Sequence, residues 1–162
     1  MRNLRFALGC LIALGIAVVP VGNAVADRLP ASDHGGLAES ATLLGTNSVP
    51  AVATSGSGTA QVTINPGHDE LCFQVSVSNL TTPAFATHIH RGPAGTNGPI
   101  VVPFVPPFAF STNGTSQTTQ GCVSVADALL NEIRSDPGGF YVNVHTPTHP
   151  AGEVRGQLTM GR

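Results

Sequence analysis

The stretch Gly58–Val77, GTAQVTINPGHDELCFQVSV, decides the fold class. In its first half Ala60, Val62 and Ile64 alternate with Thr59, Gln61 and Thr63, the signature of a strand with one buried face. In its second half Leu71, Phe73, Val75 and Val77 alternate with Cys72, Gln74 and Ser76. Asn65-Pro66-Gly67-His68-Asp69 lies between them and is turn chemistry, so the stretch predicts a β-hairpin.

The same signature recurs outward from this hairpin. Strands are predicted at Leu37–Leu44, Phe85–His90, Ile100–Phe104, Thr118–Val125, Phe140–His145 and Glu153–Met160. Pro103, Pro106 and Pro107 cannot donate ladder hydrogen bonds and make their region an edge or a loop. Ser111–Gln117 reads as a polar turn. Ala126, Leu129, Leu130 and Ile133 recur at helical spacing, with Ser124 and Asp127 as a weak capping pair and Pro137-Gly138-Gly139 as the stop. About eight strands and one short helix make an all-β chain, an antiparallel, Greek-key-like β-sandwich with one helical crossover.

Composition narrows the partners. The chain has 162 residues, a net charge of -2 and 10% charged residues, and every basic residue is Arg. That length suits one domain, and nucleic acid is excluded as a partner for want of a basic patch. Gly (19) and Pro (13) favour turns and short strands over helices. One Tyr and no Trp leave no aromatic platform for sugars or bases. The triplets at Asn79 and Asn113 match a glycosylation acceptor, a pattern common by chance.

The N-terminus reads as a signal peptide over residues 1–26. Arg2 and Arg5 precede an apolar run from Phe6 to Val19, and Ala24-Val25-Ala26 is a small-residue cleavage site before Asp27. The run is shorter than the about 20 residues of a membrane span, so the mature chain is expected outside the cytoplasm without one. Cys10 precedes most of the apolar run, which argues against a lipoprotein. Residues 27–36 form a polar leader that includes His34, and residues 37–162 form the domain. With Cys10 removed, Cys72 and Cys122 remain, and in an oxidising compartment the pair reads most simply as a disulfide. It would close a loop of about 50 residues and stabilise the fold by roughly 2–4 kcal/mol. Two buried thiols, or a metal role beside the histidines, are the competing readings.

The chemistry concentrates in ATHIHRGPAGTNGPIVVPF, Ala86–Phe104. His88 and His90 flank one residue of a strand, so their imidazoles share a face. His145 ends a different strand, and His149 follows four residues later as a further candidate. Three converging neutral imidazoles would suit copper or zinc. The structural alternative is a cluster of strand-end histidines that bond neighbouring loops, with Asn143 and Arg91 among them. Arg91 is expected to bond loop carbonyls, and Arg155 to pair with Glu153 on one face of the last strand. No Gly-X-Ser-X-Gly elbow and no Gly-rich phosphate loop before a helix occurs.

HIHRG, then the helix followed by PGGFYVNVH, then GEVRGQL, closely resemble the CHRD domain, which is named after chordin and occurs in many secreted bacterial proteins. The resemblance runs from about Leu37 to Leu158. It implies an extracellular module, with an unidentified extracellular protein or an envelope component as partner, and no established activity. A weaker resemblance to copper-zinc superoxide dismutases lies in His88-Ile89-His90, Val144-His145 and Ala151-Gly152-Glu153-Val154-Arg155. It implies copper ligands at His88, His90 and His145 and an anion guide at Arg155. The loop RGPAGTNGPIVVPFVPP has no His, Asp or Glu, so the dismutase zinc site and one copper ligand are missing. Two functions follow as expectations: a secreted, non-catalytic binding or envelope module, and alternatively a copper-binding protein with dismutase-like chemistry as its remotest form.

Overall fold

A computed structural model describes residues 36–161. The expected signal peptide, Cys10 and His34 lie outside the described residues. Ten strands form: β1 (Leu37–Leu44), β2 (Ser57–Asn65), β3 (Glu70–Ser78), β4 (Ala86–Arg91), β5 (Ile100–Val105), β6 (Ser111–Asn113), β7 (Ser116–Ser124), β8 (Phe140–His145), β9 (Val154–Gln157) and β10 (Thr159–Met160). One helix, α1 (Asp127–Ser135), lies between β7 and β8. The strands join one sheet in the order β5-β4-β8-β9-β1-β2-β3-β7-β6, with β10 on β1. All pairings are antiparallel, and the β2–β3 hairpin pairs Ala60 with Val75 and Val62 with Phe73.

The fold is all-β with one short helix, as the alternation predicts. The two faces of the expected sandwich are two ends of this single curled sheet. Phe73 on β3 stacks on Phe104 of β5 at 3.9 Å between ring centroids, although five strands separate β3 from β5 in the sheet. Gly121, opposite Phe73 in β7, leaves the space into which the Phe108 ring packs. Val62, Ile64, Leu71, Val75, Ile89 and Val142 are fully buried between the inner faces. This burial is the main favourable term, at about 25 cal/mol per Å2 of apolar surface.

Three local expectations are corrected. Ser111–Gln117 is not a simple polar turn: Ser111–Asn113 pairs with Ser116–Thr118 around Gly114, whose φ of 60 suits glycine. The last predicted strand divides at Leu158, whose N–H bonds the Phe140 carbonyl at 2.9 Å. The helix is not capped by Ser124. Its first N–H, on Asp127, donates to Oδ1 of Asp69 at 3.0 Å, and the Gly67 N–H donates to the Asp127 carboxylate. A turn distant in sequence thus supplies the capping oxygen, a tertiary substitution that local patterning does not encode. Leu130 and Ile133 are buried as expected, whereas Ala126 is exposed ahead of the first turn.

Cys72 and Cys122 are directly opposite in β3 and β7 and form a disulfide. Glu39 points inward from β1 beside Ala41 and Leu43, is 3% exposed, and leaves Oε2 without a partner. Burial raises its pKa above 4.5. The folded state therefore binds this proton more tightly, and the associated stability is lost as pH rises from 4.5 through the folded value. Glu39→Gln is expected to raise the urea midpoint at neutral pH and to match wild type below pH 4.5, the ordinary carboxyl value. A lower midpoint at neutral pH would show that the carboxylate is satisfied.

Candidate metal centre

The pairing of β4 with β8 builds the site. It sets Ala86 opposite His145, His88 opposite Asn143 and His90 opposite Tyr141. Thr87 and Ile89 point into the core, so His88 and His90 face outward with Tyr141, Asn143 and His145. A diagonal step across the ladder brings His88 to His145, with Nδ1 and Nε2 3.3 Å apart. One ring nitrogen from each of His88, His90 and His145 lies within 4.8 Å of the others. Ligands about 2.0 Å from a common ion in tetrahedral or trigonal array stand about 3.4 Å apart, so small side-chain movements close the set.

The backbone fixes two of the three tautomers. Nδ1 of His90 lies 2.9 Å from the Gly98 carbonyl, and Nδ1 of His145 lies 3.0 Å from that of Pro150. A carbonyl only accepts, so each Nδ1 carries the proton and each Nε2 holds a lone pair. His90 Nε2 is buried without a hydrogen-bond partner in the described structure. His88 Nδ1 satisfies His145 Nε2 when it carries its proton. Moving that proton to His88 Nε2 leaves three lone pairs facing one region. Carbonyls behind ligating imidazoles are the arrangement that fixes ring orientation at metal centres.

Electrostatics keep the rings neutral. Burial, then the positive charge that His145 and His90 would carry, lowers the His88 pKa from 6.5 to about 4. Burial also lowers His90, where Arg155 adds to the effect, and lowers His145. Neutral imidazole is the form that binds metal.

Two loops back the centre, and several residues hold them. Arg155 is 2% exposed, and its Nη2 donates to the Pro93 carbonyl at 3.0 Å and to Gln157 Oε1 at 3.2 Å. Its Cζ lies 3.4 Å over the Tyr141 ring, which stacks on His90 at 4.8 Å. The Tyr141 hydroxyl accepts the Gly98 N–H at 3.1 Å, and Gln157 Nε2 donates to the Gly92 carbonyl at 2.7 Å. Glu153, fully buried, ties the second loop. It accepts from the hydroxyls of Thr54, Thr81 and Thr146 and from the Thr81 N–H. These donors hold its carboxyl below the ordinary value despite burial, which pulls the other way. Asn143 donates to the Ala151 carbonyl at 3.2 Å, and its side chain fills the space a Cβ on Gly152 would need.

Two expectations about arginine do not hold. Arg155 and Glu153 form no pair: the carboxylate is filled by threonine donors, while the guanidinium clamps the Pro93 loop. Arg91 turns to α1 and makes a two-pronged ion pair with Glu132, at 3.0 and 2.6 Å, instead of reaching loop carbonyls. His149 caps the turn after β8 through its backbone, and its imidazole is not among the converging nitrogens. A second grouping, Glu70 with Cys72 and Cys122, offers no thiolate because the two sulfurs are bonded to each other. Sequence reasoning missed Tyr141, Gln157 and the Gly98 and Pro150 carbonyls as parts of the site. Tyr141 was accessible from its shared parity with Asn143 and His145, whereas the carbonyls carry no side-chain signal.

The depressed histidines set a pH dependence with a definite sign. Each is neutral when folded, and the unfolded chain takes up protons first. Their contribution is complete above 6.5 and is lost as pH falls, for His88 down to about 4. The metal-free urea midpoint is expected to drop across that window, and to drop less in His88→Asn. Equal slopes for the two proteins would show that His88 titrates normally.

Comparison with known proteins bears on the whole chain. No curated protein and no solved structure matches it. The family model of the CHRD domain matches residues 40–158, the stretch that holds β2 to β9, most of β1, both loops beside the centre and all three convergent histidines. By that match, the chain belongs to the CHRD-domain family.

Proposed function

We propose that this CHRD-domain protein is an exported, non-catalytic module that binds copper on His88, His90 and His145. The observation that carries the reading is the buried, partnerless Nε2 of His90 beside the closely approaching nitrogens of His88 and His145. A buried acceptor without a donor costs free energy, and an ion among the three rings would recover it. Neutral nitrogen donors without thiolate or carboxylate suit copper and zinc, and the resemblance of His88, His90 and His145 to a copper ligand set favours copper. When bound, the ion supplies the Lewis acidity and one-electron chemistry of copper. The chain's own part is to orient imidazoles through the Gly98 and Pro150 carbonyls of the two loops.

Export is supported by the N-terminal charge and apolar pattern and by the disulfide, which belongs to an oxidising compartment. No helix among the described residues is long and apolar enough to cross a membrane. An extracellular protein or envelope component is the partner class. Arg155 supports the centre from behind: its bonds to Pro93 and Gln157 favour a loop clamp over an anion guide.

Copper loading followed by removal of excess tests the reading. Wild type is expected to keep one equivalent per chain. His88→Ala and His145→Ala should keep well under half of it, and His149→Ala should behave as wild type. A wild-type protein that retains no copper contradicts the proposal.

A further inference from the structure

The composition of the centre bears on which copper ion it takes. The converging nitrogens are neutral donors, and among the described residues no carboxylate or free thiol joins them. The ligands therefore leave the ion's charge uncompensated. A charge packed behind them, through Tyr141, is another cation. Arg155 sits opposite Asn143 in the β8–β9 pairing and is almost fully buried. Its guanidinium lies on the Tyr141 ring, and that ring lies parallel to His90, the two planes 8° apart.

Among the described residues no carboxylate pairs with Arg155. The hydrogen bonds of Arg155 go to the Pro93 carbonyl, Asn97 Oδ1 and Gln157 Oε1, which are all neutral acceptors. Glu153, two positions earlier in the chain, is taken up by Thr54, Thr81 and Thr146. Repulsion between a fixed cation and a bound ion scales with the ion's charge, so a divalent ion is penalised twice as heavily as a monovalent one. Poor access of water makes the difference larger than in solvent.

Ligand number points the same way. Divalent copper favours tetragonal sets and zinc completes three protein ligands with a water, whereas monovalent copper is stable with three nitrogen donors alone. His149, the one further histidine close in sequence, stands outside the group. The rings of His90 and His145 are each anchored to a loop carbonyl, which hinders rearrangement into a square plane.

We propose that the centre selects monovalent copper, and that Arg155, stacked through Tyr141 on the His90 ligand, is the positioning residue that disfavours the divalent ion. The proposal rests on the copper reading above.

Two competition titrations of the protein test it. Monovalent copper is titrated without oxygen against bicinchoninate, and divalent copper against glycine. The expected result is a preference for monovalent copper of about tenfold or more over the free-ion ratio, equivalent to a potential raised by about 59 mV. Arg155→Gln, which keeps polar reach and drops the charge, is expected to move that ratio about tenfold toward divalent copper. Arg155→Lys should keep most of the preference. Tighter binding of divalent copper by wild type would overturn the proposal. So would an unchanged ratio in a folded Arg155→Gln protein. Should that variant fail to fold, the same ratio is measured in Arg155→Met, where an unchanged value likewise overturns the proposal. Retention of neither ion would defeat the copper reading itself, while retention with a divalent preference would defeat this inference only.

Discussion

The antiparallel pairing of β4 with β8 is the constraint on which the rest depends. Its register sets Ala86 against His145 and His88 against Asn143, and so places imidazoles 57 residues apart in sequence within hydrogen-bond reach. A slip of one residue would turn His88 and His90 inward and expose Ile89. That slip is prevented by the core, where Ile89, Val142 and Val144 are fully buried. The same apolar alternation that closes the sheet therefore aims the polar side chains. Burial supplies the energy, and the outward parity is its by-product.

Two loops convert this alignment into a defined centre. The loop after β4 is fastened by Arg155, Tyr141 and Gln157, and the loop after β8 by Glu153 and Asn143. Both present a backbone carbonyl to an imidazole Nδ1. Buried charges normally need partners of opposite sign. Here Glu153 is satisfied by neutral donors and Arg155 by neutral acceptors and an aromatic face, so each charge stabilises a loop without cancelling the other. That separation leaves the histidine cluster beside a cation, which adds to burial in lowering the pKa of His90.

Much of this architecture was legible in the sequence. Alternation around Val62 and Phe73 identified the hairpin, and the parity of His88 and His90 placed both rings on one face. The side of the sheet on which His145 falls followed from Phe140, Val142 and Val144 facing the core. What patterning could not supply was tertiary. The joining of two expected layers into one curled sheet depends on Phe73 meeting Phe104, and the helix cap on Asp69 reaching Asp127. The misplaced ion pair has a similar origin. Glu153 and Arg155 alternate as partners on a strand should, yet threonines from three loops reach the carboxylate first. Short-range spacing fixes which face a side chain leaves from, but not what comes to meet it.

The central claim is that carbonyls of Gly98 and Pro150 hold His90 and His145 as neutral rings with unprotonated Nε2 atoms aimed at His88. Imidazole nitrogen–proton correlation spectra of the metal-free protein at neutral pH report this directly. The account predicts that both rings appear as the neutral form protonated on Nδ1, with Nε2 bare. Spectra showing either ring protonated on Nε2, or as the imidazolium, would contradict it.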